Sequence, residues 1–183
     1  MSIEYFYQKP FPDLKLNNKF LLREQQLDDT EAFFNYYTDP QVFQYILANS
    51  PKNIQEAESE IYYCRNLFRQ SKGIYWTIAR KDTNKMVGAI GFYINNFHRR
   101  AELSYDLSKD HWSKGIMSQA IQVVCDYAFK SIGLSRIEAI TMKENIASQR
   151  VLQKAKFQFE GTLRNYKFHQ GRPFDVEMFS LIP

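Results

Sequence analysis

His111-Trp-Ser-Lys-Gly-Ile-Met-Ser-Gln-Ala120 is the stretch on which the reading of this chain turns. It follows a strand-like run, Glu102-Leu-Ser-Tyr-Asp-Leu107, and precedes an amphipathic run that ends near Lys130. A strand, a short polar turn with a glycine and a helix start together aim backbone N–H groups at one point. The first N–H groups of a helix have no partner inside it, and the helix dipole adds partial positive charge there. Such a turn suits a phosphate. Gly115 removes the side chain where an anion's oxygens would approach, Ser113 and Ser118 add hydroxyl donors, and Lys114 adds a cation. Two familiar phosphate loops are excluded. A Walker loop needs two glycines and Lys-Ser/Thr in order, and a dinucleotide fingerprint needs three spaced glycines.

The chain has 183 residues, 44% of them hydrophobic and 24% charged, which fits one globular domain with a substantial core. The domain is read as residues 19–183, with 1–18 as a loosely attached lead-in. No apolar run approaches the length of a membrane span and the N-terminus lacks a signal-peptide core, so a cytoplasmic protein with no membrane partner is expected. The net charge of +4 is spread thinly, and the longest basic cluster is His98-Arg99-Arg100. That is no Lys/Arg stripe for direct nucleic-acid binding, and it matches a polyanionic cofactor or a ribosome-associated substrate better. Cys64 and Cys125 read as buried thiols of a reducing compartment. His98, His111 and His169 lack ligand spacing, so no metal is expected.

Along the chain, Lys19–Arg23 reads as a strand, and Asp28 or Asp29 as the cap of a helix over Thr30–Tyr37. Asp39-Pro40 opens a further helical turn through Tyr45. Asn53 with Glu56 starts a helix carrying Ile54, Ala57, Ile61, Cys64 and Phe68 at helical spacing, which stops at Gly73. Tyr75–Ala79 and Met86–Ile94 form a hairpin, and Ala101–Leu107 a third strand. After the loop and its helix come a strand over Leu134–Thr141 and a helix capped by Asn145. Phe157–Ile182 reads as strand, strand, a turn at Gln170–Pro173, and strand.

Trp112-Ser-Lys-Gly115-Ile-Met117 resembles the acetyl-CoA pyrophosphate loop of the GNAT N-acetyltransferase superfamily, Gln/Arg-x-x-Gly-x-Gly/Ala. Trp112 in the leading place is usual in the branch that resembles the RimJ/RimL ribosomal-protein acetyltransferases. Met117 stands where Gly or Ala is usual, and a bulky side chain there is expected to crowd the phosphates. Other stretches are similar to the same branch: Asp39-Pro-Gln-Val42, Trp76-Thr-Ile78, Val87-Gly-x-Ile-Gly91, Ala101-Glu-Leu-x-Tyr105 and Arg136-Ile-Glu-Ala139. So are Asn145-x-Ala-Ser148-x-x-Val-Leu152-x-Lys154-x-x-Phe157 and Glu160-Gly-x-Leu-Arg164. The resemblance covers residues 19–183 and implies a mixed α/β fold: a central, mostly antiparallel sheet splayed between two parallel strands and flanked by helices.

It also implies the chemistry: direct acetyl transfer from acetyl-CoA to an amine, with no metal. Cofactor contacts would come from backbone N–H groups of Asp106, Leu107 and Ser108 at the splay, and from Trp112, Ser113, Lys114, Gly115, Ile116, Met117 and Ser118 in the loop. Asn145 would reach the pantetheine arm, besides capping its helix. Glu160 would be the general base, and the flanking Phe157 and Phe159 are expected to raise its pKa. The alternative is a strand-end glutamate paired with Arg164. Ser148 would protonate the departing thiolate, or is only a first-turn residue after Asn145. Glu102 is a rival base, on the strand face it shares with Ser104 and Asp106. Tyr105 and Tyr166 either line the acceptor pocket or belong to the core or rim. The acceptor that the resemblance implies is a protein N-terminal α-amine, of a ribosomal protein as in that branch. A small amine (polyamine, amino acid or drug) and a catalytically silent acyl-CoA-binding regulatory module are the alternatives. Monomer and homodimer both stay open.

Overall fold

Each helix is set by a local device that the sequence carries. The computed structural model describes residues 6–183. Helix α1 is Thr30–Tyr37 and α2 Pro40–Phe43; Asp39 Oδ1 accepts the Gln41 N–H, and Pro40 begins α2. Helix α3, Ile54–Arg69, starts where Asn53 Oδ1 accepts the Glu56 N–H, while Glu56 reaches back to the Lys52 N–H. It ends at Ser71, whose φ is 56°, and Gly73 opens the next strand rather than stopping the helix. Helix α4 is Ile116–Tyr127, continued by a π-helical turn to Ile132 and closed at Gly133. Helix α5 is Ile146–Lys154, capped by Asn145 Oδ1 accepting the Ser148 N–H.

The strands are β1 Leu14–Lys15, β2 Phe20–Glu24, β3 Gly73–Arg80, β4 Met86–Asn95, β5 Arg100–Leu107, β6 Arg136–Thr141, β7 Gln158–His169 and β8 Arg172–Leu181. They form one sheet in the order β1-β2-β3-β4-β5-β6-β8-β7. Every neighbouring pair is antiparallel except β5 with β6. The C-terminal stretch is two long strands, not three. The apparent break is an irregularity between Leu163 and Lys167, where the Asn165 N–H is given to Asp175 Oδ1.

Apolar residues cover both faces of the sheet. One core joins β2–β6 to α4 and α5, with Trp76, Ile90, Phe92, Ile121 and Ile137 fully buried. A second, smaller core packs α1, α2 and α3 on the other face, through Phe33, Tyr36, Val42, Ala57, Ile61, Met86 and Ala89. Residues of β4 bury both faces, which explains its nearly continuous apolar run.

Two expectations change here. Residues 6–18 are not loosely attached. Phe6 is buried in the main core, Phe11 meets the Trp76 ring edge-on, and the Trp76 indole N–H donates to Pro12 O at 2.8 Å. Residues 1–5 of the expected lead-in lie outside the described residues. Asp29 precedes α1 but does not cap it. Its carboxylate takes two bonds from the buried Arg23 guanidinium, one from the Gln26 N–H and one from the Thr77 hydroxyl. A buried pair broken on one side typically costs about 3–5 kcal/mol, so Asp29 anchors the start of α1 by tertiary charge pairing.

Candidate active site

Strands β5 and β6 pair in parallel through Arg100–Arg136, Ala101–Ile137 and Glu102–Glu138. Beyond Glu102 they part. The Ser108 N–H bonds Val87 O on β4, so by alternation Leu107 turns its peptide toward the gap left by β6. Of the three residues expected to offer N–H groups there, Leu107 faces the opening; Asp106 and Ser108 turn their peptides to β4. Thr141, across the gap on β6, has a buried hydroxyl with no partner among the described residues. A cleft of about 1130 Å³ runs through this gap, lined by both strands, the 112–118 loop, α5 and the α1–α2 region. Single small-molecule pockets span roughly 300–1,000 Å³, so the space suits two reactants.

The loop at the mouth of the gap has the properties an anion needs. Gly115, at φ 72°, lies in the left-handed region, and a Cβ there would meet only Gln119 Nε2, at 4.0 Å. No side chain caps α4, and its first turn carries no acid, so its leading N–H groups face the cleft uncompensated. Trp112 ties the loop to the strand, its indole N–H donating to Leu107 O at 2.7 Å. Lys114 is not part of the cleft lining, and its Nζ donates to Asp110 O. Met117 does not crowd the loop as expected. The residue is 7% exposed and packs into the main core, while also bordering the cleft. Ser113, Ile116 and Ser118 also line the cleft, as does Asn145.

The two faces of β5 carry different chemistry. On one, Tyr105 OH and Ser148 Oγ lie 2.7 Å apart. Burial pushes the Tyr105 phenol up to about 12, so it keeps its proton at neutral pH. On the other face stand Glu102, Ser104 and Asp106, and all three line the cleft. Glu102 is paired with Lys167 Nζ at 3.3 Å. Asp106 accepts the Tyr36 hydroxyl at 2.6 Å. Burial, opposed by that bond and by the Ala89 N–H, lifts its carboxyl to about 6, and the nearby Glu60 adds to the rise. Burial also raises Glu60, on the α3 wall. Sequence reasoning named Asp106 for its backbone and missed its carboxyl. The alternating pattern placed that side chain with Glu102, but Tyr36 comes from 70 positions away.

Glu160 lies elsewhere. It does not line the cleft, and both its oxygens are taken by the Arg136 guanidinium, with Ser180 OH added at 2.6 Å. Arg136 and then Ser180 hold its carboxyl down at about 2, opposite to the rise expected from Phe157 and Phe159. Its partner is Arg136, not Arg164. The register of β7 against β8 slips between Phe159 and Gly161, and this bulge turns Glu160 toward Arg136. Tyr166 is also outside the lining, whereas Tyr105 is part of it.

Comparison with known proteins gives a consistent result. The family described as acetyltransferase (GNAT) domain matches residues 19–158. An uncharacterized N-acetyltransferase of Bacillus subtilis (strain 168), YoaA, is 37% identical over 173 residues, covering 94% of this chain and 97% of that protein. RimL, a ribosomal α-N-protein acetyltransferase, superposes with a TM-score of 0.85 at 20% identity, over 96% of this chain and 97% of that one. MccE, a microcin C7 self immunity acetyltransferase in complex with acetyl-CoA and AMP, gives 0.83 at 20%, over 92% and 95%. At those identities the two structures speak for the fold alone.

Proposed function

The chain belongs to the GNAT acetyltransferase family and is an acetyl-CoA acyltransferase; from that premise we propose that it acetylates the α-amine of a protein N-terminus, a ribosomal protein being the first candidate. One observation carries the reading of the site. An uncapped helix N-terminus and a parted parallel strand pair open into a single cleft with room for a second substrate. The pyrophosphate of acetyl-CoA would sit on the first N–H groups of α4, at Trp112–Ser118. The acetyl carbonyl would accept from the Leu107 N–H, which would also stabilise the developing oxyanion. Thr141 and Asn145 border the space the pantetheine arm would fill, and Ser148 with Tyr105 stands ready to protonate the thiolate.

The acceptor follows from proton chemistry. A free α-amine titrates near ~7.8 and a lysine side chain near ~10.4. At neutral pH roughly a tenth of α-amines are already neutral, against well under a thousandth of lysines. A cleft with moderately tuned carboxylates handles the first far more readily. The α2 region, through Gln41, Val42 and Tyr45, walls a broad opening suited to an extended peptide end. RimL, which shares this fold, is named as an α-N-protein acetyltransferase, so the fold accommodates such an acceptor. The three carboxylates that line the cleft, Glu60 from α3 and Glu102 and Asp106 from β5, favour a second reading, acetylation of a polycationic small amine.

Mass mapping separates the two. Peptides beginning with Ala or Ser and carrying an internal lysine are incubated with acetyl-CoA, beside spermidine and an N-terminally blocked control. The proposal expects the acetyl group on the free terminus and none on the blocked peptide. Label on the internal lysine, or on spermidine and no peptide, overturns it.

A further inference from the structure

We propose that the Asp106 carboxylate takes the proton from the incoming amine and that Tyr36 is its positioning residue. The inference rests on the acetyl-transfer reading above, and concerns which group works in that same cleft. Three observations place the role on Asp106. Its side chain lines the cleft one residue from Leu107, whose N–H faces the opening where the thioester would lie. Tyr36, itself buried at 8% exposure, fixes the carboxyl with a 2.6 Å bond from its hydroxyl, leaving acceptor capacity on the carboxylate. Among the described residues no cation pairs with Asp106, whereas Lys167 occupies Glu102 and Arg136 occupies Glu160.

The groups facing Asp106 are all neutral or acidic. Tyr36 and Tyr37 face it from α1, Glu60 and Cys64 from α3, and the Ala89 N–H from β4. Burial holds both tyrosines and the Cys64 thiol protonated at neutral pH. Asp106, at about 6, is mostly ionised there and still basic enough to accept.

The step balances. The ammonium R–NH3+ gives one proton to Asp106. The freed nitrogen pair forms the N–C bond at the thioester carbonyl. The C–S bond breaks with its electrons on sulfur, and the second nitrogen proton leaves to solvent. The Tyr105–Ser148 hydroxyl pair gives a proton to the sulfur and regains one from solvent. Asp106 sheds its own to solvent, so each turnover releases one proton with the amide and CoA–SH.

The test uses the full chain, thiol-release kinetics from pH 5 to 9, and acetyl-CoA titration calorimetry. Asp106→Asn should lower kcat/KM for the amine about a hundredfold while acetyl-CoA affinity stays within twofold. Tyr36→Phe removes a bond that favours the ionised carboxylate, so the acidic limb of kcat/KM should shift to higher pH, with recovery toward wild type on the plateau. A purely structural tyrosine would not move that limb. An Asp106→Asn protein that binds acetyl-CoA and keeps more than a third of wild-type kcat/KM overturns the proposal, as does an unmoved limb in Tyr36→Phe. The acceptor class is read from the wild-type protein, and the Asp106 ratio is taken on whichever amine that protein acetylates. The two readings therefore fail separately.

Discussion

The parallel pair β5–β6 has a closed end and an open end, and the same residue types do opposite work at the two. At the closed end, Glu138 takes Arg100 and Arg136, and Arg136 also takes Glu160. Every charge there has a partner, and the cluster clamps β5, β6 and β7 together. A few residues further along, the ladder stops. Leu107 turns its N–H to a gap, and among the described residues Thr141 has an unpaired hydroxyl and Asp106 a tyrosine but no cation. Fully paired charges stabilise and do little else, while groups kept unpaired in a low-dielectric cleft hold reactivity in reserve. The contrast turns on neighbours, not on residue type.

The largest effect that can break this comparison is a ranking of carboxylates by turnover. Asp106→Asn should lose about a hundredfold, Glu102→Gln less because Lys167 already engages it, and Glu160→Gln least. Steady-state kinetics on the three proteins under one condition settle the order. If Glu160→Gln falls furthest, the closed end holds the base and the division between the two ends is wrong.

Acetyl-CoA affinity comes next. Gly115→Glu sets a negative charge where the α4 N-terminus would meet phosphate. Calorimetry should show at least tenfold weaker CoA binding, about 1.4 kcal/mol or more. The left-handed backbone at 115 is itself strained by most side chains. Gly115→Asn, which tolerates that conformation, should therefore bind within threefold of wild type. Equal losses in both variants would assign the effect to backbone strain instead of charge.

How legible each end was depends on how far apart its parts lie in the chain. The 112–118 loop, the Asn145 cap and Ser148 sit within short runs with their own punctuation; the strand and helix periods around them set the order of elements, and the GNAT resemblance implied how those elements pair. The surroundings of Glu160 could not be read ahead, because Arg136 lies on another strand and the bulge at 160 leaves no periodic mark. The Asp106 carboxyl was hidden for a related reason. Alternation assigns a face, but the burial that lifts its pKa, the Tyr36 bond that opposes the rise and the nearby Glu60 all arrive through tertiary packing of α1 and α3. Phe6, Phe11 and Pro12 show no strand or helix period, so their docking on Phe68 and Trp76 could not be read ahead.

A smaller effect tests the other face of the open end. Tyr105→Phe and Ser148→Ala each remove one hydroxyl of a pair 2.7 Å apart. Each should lower kcat roughly fivefold to tenfold with little change in acetyl-CoA KM. The double variant should fall well short of the product of the two, because the hydroxyls act as one unit. Fully multiplicative losses would mean two independent roles.

The smallest effect is in stability, and its sign differs between the two ends. Glu160 has a folded pKa of about 2, below its ordinary 4.5. It therefore stabilises the fold above pH 4.5, and that contribution fades as pH falls through 2. The pair is partly exposed, with side-chain exposures of 27% and 39%, so the gain at pH 7 should be no more than about 1 kcal/mol. Asp106 is the reverse. Its folded pKa of about 6 lies above the ordinary 3.8, so the ionised carboxylate costs stability above pH 6, and that cost vanishes below 3.8. Urea midpoints at pH 7, 5 and 3.5 should show Glu160→Gln less stable than wild type at pH 7, with the gap narrowing at pH 3.5. Asp106→Asn should be at its most favourable relative to wild type at pH 7 and lose that advantage on acidification. Two variants that drift the same way with pH would show that both carboxylates are paired for structure, and the open end would no longer be chemically distinct from the closed one.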